Sequence, residues 1–194
     1  AYPVITFFLL VRDWFIWGSF LLMIRRPPRE LRRDKTIIIM AFTKVTEQTS
    51  LHDNLDQNSV GQLLVEMNEE DQKVALAVKE CIPQIEKLVE GIVERMQKGG
   101  RIFYMGAGTS GRLGVLDASE IPPTFGMPPS FVIGLIAGGD HALRNPVENA
   151  EDDPEKSWKE LLEHDITTLD TVVGIAASGT TPYVIGALER AREF

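Results

Sequence analysis

Three short apolar runs at residues 101–105, 131–137 and 171–176, each β-rich and bounded by glycines, constrain this chain more than any other feature. Continuous apolar runs of this length suit strands buried on both faces, as in parallel sheets covered by helices. Between the first two runs, residues 112–119 read as a helix, and after the third, residues 182–193 do the same. Strand, helix, strand, helix predicts an α/β fold, a doubly wound parallel sheet between two helical layers. In such sheets ligands bind beyond the carboxyl ends of the strands.

The region before the sheet divides at Met40 and again near Gly99. Residues 43–58 are polar with no sustained apolar period, which predicts an arm lying extended over a surface. Ser59 is placed to cap a short helix carrying Val60, Leu63, Leu64 and Met67, with a restart at Asn68 or Asp71. Val74, Val78, Ile82, Ile85, Leu88, Val89, Ile92 and Met96 then recur at helical steps. Pro83 is expected to kink or split that helix, and Gly99-Gly100 to end it. Residues 40–98 are therefore read as an arm and helices, and residues 99–194 as the sheet domain.

Residues 1–39 differ in character from everything after them. They hold seven basic and three acidic residues, net +4, whereas the remainder is net −12. Arg12 and Asp13 divide an apolar stretch into pieces of about eight and eleven residues, and neither is long enough to span a bilayer. The chain starts at Ala1, and Met23-Ile24-Arg25-Arg26-Pro27-Pro28-Arg29 resembles translated adapter sequence, so the segment is read as a non-native leader. The alternative is a membrane anchor flanked by its arginines. The acidic body argues against generic nucleic-acid binding, which needs basic surface. Cys81 has no partner for a disulfide within one subunit, which suits a reducing, cytoplasmic compartment.

The strand ends carry the chemistry. Gly106-Ala107-Gly108-Thr109-Ser110-Gly111 matches the dinucleotide pattern of glycines, but no acidic residue follows the second strand at the place where a ribose would need it. Thr109 and Ser110 instead bring hydroxyls to a helix N-terminus, which suits a phosphate monoester. The third strand leads into Ser178-Gly179-Thr180-Thr181-Pro182, a second hydroxyl loop opening a helix. Taken singly each loop is ordinary helix capping, but together they can clamp one phosphate. Glu120 precedes Ile121-Pro122-Pro123, where a helix is expected to stop beside an apolar loop that would desolvate a carboxyl and suit it to acid catalysis. Glu148, Glu151, Asp152 and Asp153 form an acidic cluster. His52, His141 and His164 share no metal-ligand spacing, so no metal is expected.

Read together, the segments 106–114, 116–126, 134–139, 148–152 and 174–183 closely resemble the N-acetylmuramic acid 6-phosphate etherase family, from about Thr46 to the end. The resemblance implies a SIS (sugar isomerase) fold of three αβα layers, here incomplete, because relatives continue beyond Phe194. A sheet lacking its later strands would have an exposed edge. It also implies cleavage of the D-lactyl ether of N-acetylmuramic acid 6-phosphate to N-acetylglucosamine 6-phosphate and D-lactate, with no metal or organic cofactor. In that chemistry the opened sugar loses its C2 proton to a base, lactate leaves C3 with the help of an acid, and water adds to the unsaturated intermediate.

By motif position Glu120 resembles the proton donor and Glu151 the other catalytic carboxylate, with Glu148 a bystander. Thr109, Ser110, Ser178, Thr180 and Thr181 would hold the 6-phosphate on loops shaped by Gly106, Gly108, Gly111 and Gly179. Thr180 stands where many relatives carry arginine. A homodimer with its sites near the subunit interface is implied as well. Two other readings keep the same loops: a SIS-fold regulator that senses a phosphosugar, as the related glucokinase regulatory protein does, and an aldose-ketose isomerase of sugar phosphates.

Overall fold

The computed structural model describes residues 49–194, together with Thr46 and three strand fragments, β1 (Ile5–Phe8), β2 (Val11–Arg12) and β3 (Phe15–Ile16). Apart from those fragments, the leader or membrane anchor expected over residues 1–39 lies outside the described residues. Among the described residues no helix is long and apolar enough to cross a membrane.

Residues 49–58 do not lie extended; they form turns and bends folded back on the helix that follows. Asn54 takes a left-handed conformation (φ 52°), and the His52 ring sits 2.9 Å from the buried Glu70 carboxylate. That helix, α1 (Val60–Gln97), starts in a capping box: Ser59 Oγ accepts from the Gln62 amide at 3.3 Å while Gln62 Oε1 accepts from the Ser59 amide at 2.9 Å. It is one helix, where the sequence suggested a restart and a kink or split. Asn68 accepts from Gln72 at 2.7 Å, one turn on, and so supports the helix instead of capping a new one. Pro83 forfeits only the bond to the Lys79 carbonyl, which solvent can satisfy on an exposed surface. The helix ends as expected, with Gly99 left-handed (φ 93°).

The sheet core is parallel. β4 (Ile102–Gly106) is central, flanked by β5 (Val132–Ile136) on one side and β6 (Thr171–Ala176) on the other. Phe103 aligns with Ile133 and with Val172, so like-facing residues form rows across the three strands. The outer edge of β6 pairs in parallel with β1.

Three helices cover the core: α2 (Gly108–Phe125), α3 (Pro154–Glu163) and α4 (Pro182–Glu193). Phe103, Met105, Val172 and Ala176 form one buried cluster with Leu161 of α3 and with Tyr183, Val184 and Leu188 of α4. On the opposite face Gly114 of α2 fits against Tyr104 and Ile175, and Gly134 lies against the Val115 backbone. This is the expected αβα layering. α3 was not anticipated. Asp153, read as one more member of an acidic cluster, caps it by accepting from the Glu155 amide at 2.9 Å and the Lys156 amide at 3.3 Å, and Pro154 opens its first turn.

A buried carboxylate pins the amino ends of β4 and β6 together. Asp170, its side chain 1% exposed, accepts from the Arg101 amide at 2.7 Å, the Arg101 guanidinium at 2.8 Å and the Thr167 amide at 2.8 Å. Burial pushes its pKa up, but the Arg101 guanidinium and the Thr167 and Arg101 amides outweigh that and hold it below the usual value. A depressed carboxylate pKa adds stability above the unfolded-state value, and that stability is lost as pH falls through the folded-state value. Asp170→Asn is expected to cost about 2–3 kcal/mol at pH 7 by urea unfolding. The difference from wild type should shrink as pH falls below about 4; a cost that is the same at pH 7 and pH 3 would contradict the ionic role.

Candidate functional site

Because β4 and β6 are parallel neighbours with Gly106 opposite Ile175, their following loops open at the same end of the sheet. Ser59 and Asp153 cap α1 and α3, but α2 and α4, which start in these loops, have no side-chain cap. The two starts are not equivalent. At α2, the amides of Gly108, Thr109 and Ser110 have no hydrogen-bond partner among the described residues, and the first bond back into the loop is Gly111 N–H to the Ala107 carbonyl at 3.1 Å. At α4, Pro182 has no N–H, the Tyr183 amide donates to the Glu151 carbonyl at 2.9 Å and the Val184 amide to Thr181 at 3.0 Å. Among the described residues, the amides left open to an anion are therefore those of α2, and the second loop offers mainly hydroxyls.

The four loop glycines divide by purpose. A Cβ on Gly106 would lie 2.7 Å from the Gly111 nitrogen, and one on Gly111 would lie 2.6 Å from Ile136 Cγ1 and 2.8 Å from the Gly106 oxygen. These two let α2 sit directly on β4. Gly108 (φ 52°) and Gly179 (φ 67°) are left-handed and set the turns themselves. Thr109 is exposed and Ser110 buried, while Ser178, Thr180 and Thr181 are half-buried. Ser178 Oγ accepts from both the amide and the hydroxyl of Thr180 at 3.1 Å, which closes the second loop on itself.

The two glutamates lie in different places. Glu151 occupies a turn before α3, and the Tyr183 amide on its carbonyl fixes it beside the second loop. Glu148 is exposed in the same connection. Glu120 does not stand at a helix end: α2 continues through Pro122 and Pro123 to Phe125, and left-handed Gly126 (φ 67°) closes it by donating to the Pro122 carbonyl at 2.9 Å. Nor is Glu120 desolvated here; it is exposed. Twelve residues past Gly108, it lies about 18 Å down the helix axis from the loop. The structure thus gathers the residues 106–111, 178–181 and Glu151 at one end of the sheet and leaves Glu120 away from them. Among the described residues no group of three His, Cys, Asp or Glu side chains stands where it could hold a metal ion.

The chain is 72% identical over 154 residues to an N-acetylmuramic acid 6-phosphate etherase of Bacteroides thetaiotaomicron, a match covering 79% of this chain and 56% of the relative. It is 70% identical over 151 residues to the protein of that name from Porphyromonas gingivalis, covering 78% and 55%. With that of Caldanaerobacter subterraneus subsp. tengcongensis it shares 56% identity over 140 residues, covering 72% and 46%. The chain thus spans about half the length of the curated relatives it matches. The family model described as the glucokinase regulatory protein N-terminal SIS domain matches residues 84–192. Matched over more than half of its length, the chain belongs to that SIS-domain family.

Proposed function

We propose that the intact protein is a carbon-oxygen lyase that cleaves the D-lactyl ether of N-acetylmuramic acid 6-phosphate, giving N-acetylglucosamine 6-phosphate and D-lactate. The observation that carries this is the triple of amides at Gly108, Thr109 and Ser110, without a hydrogen-bond partner among the described residues, at the same end of the sheet as a hydroxyl loop and the Glu151 turn. Such a cradle suits a dianionic phosphate monoester in a protein whose surface charge would repel one. The etherase names of the relatives supply the substrate class.

With the phosphate held, the open-chain aldehyde acidifies the C2 proton. A carboxylate base takes that proton, the C3–O bond breaks, and a double bond forms between C2 and C3. The departing lactate oxygen is protonated by a carboxylic acid. Water then adds its hydroxyl to C3, and a proton returns to C2. One carboxyl must be ionised while the other is protonated. Glu120 is the proton donor and Glu151 its counterpart, with Ser178, Thr180, Thr181, Thr109 and Ser110 on the phosphate.

The distance along α2 favours a reading in which Glu120 acts in a different copy's site. The protein works as a homodimer in which each cradle receives Glu120 from the partner. Leu113, Leu116 and Phe125, exposed on the same helix, and the exposed Val60, Leu64 and Leu76 of α1 offer the apolar surface that a second copy would cover. The regulator named by the family match is the competing reading, since a sensor needs the cradle and neither glutamate. Assay of D-lactate separates these: the etherase releases it, whereas a sensor or a sugar phosphate isomerase does not.

A further inference from the structure

We infer that Arg112 is a positioning residue that ties the Glu151 loop to the phosphate-binding helix, an inference that rests on the etherase reading for its catalytic consequence. Arg112 lies four residues past Gly108 on α2 and is half-buried. Its Nε donates to the Leu143 carbonyl at 3.0 Å and its Nη2 to the Ala142 carbonyl at 2.8 Å. The planar guanidinium thus grips two successive carbonyls of the 3₁₀ turn Asp140–Leu143, a fork that a lysine ammonium cannot reproduce.

That turn opens the long connection from β5 to α3, which contains Glu151. The connection is folded tightly where Arg112 holds it. Gly138 is left-handed (φ 92°), and a Cβ there would lie 3.0 Å from Ala142 Cβ and 3.1 Å from Val147 Cβ. Its far end is held by the other helix of the site, through the Tyr183 amide on the Glu151 carbonyl at 2.9 Å. Between these two anchors the loop has little secondary structure and an exposed surface. The helices that start in the two phosphate loops therefore hold the two ends of the segment carrying the carboxylate. Gripping the phosphate and placing Glu151 are one structural act. No carboxylate pairs with Arg112 among the described residues, so a direct pull of its charge on the phosphate is the rival explanation, and the two differ in what they change. Positioning acts on kcat; direct attraction acts on KM.

The test uses Arg112→Met and Arg112→Lys in the intact protein, with amide hydrogen exchange and steady-state kinetics on N-acetylmuramic acid 6-phosphate. In Arg112→Met, amides of residues 140–152 are expected to exchange at least about tenfold faster while those of β4 and β6 do not change. kcat is expected to fall at least about tenfold, with KM within about twofold. Arg112→Lys, keeping one contact, should fall between. Unchanged loop exchange, or an unchanged kcat, overturns the inference, and so does a raised KM with kcat intact. Should Arg112→Met also loosen β4 and β6, the lysine variant decides by the same readouts. If the wild-type protein releases no D-lactate, the etherase reading alone falls, and loop exchange still decides whether Arg112 anchors the segment.

Discussion

Glutamine at Glu120 or at Glu151, in the intact protein, is expected to lower kcat for D-lactate release at least about 10²-fold while leaving phosphosugar affinity within about twofold. Glutamine keeps the size and hydrogen-bonding reach of the side chain but can neither give nor take the proton. Neither residue belongs to the amide and hydroxyl cradle proposed to bind the phosphate, so affinity should survive. The two positions also make a sharper prediction. Glu151 is fixed beside its own cradle, whereas Glu120 lies about 18 Å away along α2. If Glu120 serves the partner's site, an exchanged mixture of the two variants contains dimers with one fully intact site. Random exchange in equal amounts should then restore about a quarter of wild-type turnover. A mixture as inactive as its components would place both glutamates in one subunit's site.

Gly186→Ala is expected to unfold or severely loosen the domain. A Cβ at that position would sit 2.0 Å from the Pro154 oxygen and 2.6 Å from its carbonyl carbon, both backbone atoms at the start of α3. Relief requires moving α3 away from α4, which opens the cluster of Leu161, Tyr183, Ala187 and Leu188. The cost should be about 3 kcal/mol or more. The better helix propensity of alanine returns only about 1 kcal/mol. Gly91→Ala provides the opposite control. Nothing lies within 4 Å of its added methyl, so the same change within a helix should stabilise by about 0.5–1 kcal/mol. Urea midpoints shifting in opposite directions would confirm the packing argument; a Gly186→Ala midpoint near wild type would refute it.

The sheet was legible because strands buried on both faces leave a composition that little else produces. The runs at 101–105, 131–137 and 171–176 fall within a residue of β4, β5 and β6, and the helix at 182–193 coincides with α4. Helix interiors were read less well, and proline is the reason. At Pro83 and at Pro122-Pro123 the local rule predicts a break, yet a proline removes only its own donor, and the rest of the helix carries on. At Asp153-Pro154 the reverse holds, because a cap followed by proline is hidden within a run of acidic residues.

The site divides in the same way. Glycines and hydroxyls marked the loops, since left-handed turns and short polar side chains are local requirements. The inequality of the two helix starts was not legible, since it depends on a contact between Tyr183 and Glu151, separated by thirty-two residues. The remoteness of Glu120 was hidden for a related reason. A helix thought to end at residue 119 leaves a carboxylate free to turn toward the loop, and one that runs to Phe125 does not.

The most direct test of the central claim is to incubate the intact protein with N-acetylmuramic acid 6-phosphate in ¹⁸O-labelled water and follow both products. Elimination followed by hydration predicts D-lactate and N-acetylglucosamine 6-phosphate in equal amounts, with the label at C3 of the sugar and none in the lactate. It also predicts little turnover of the same sugar without its phosphate. Lactate carrying the label, a sugar lacking it, equal turnover without the phosphate, or no lactate at all would contradict the account.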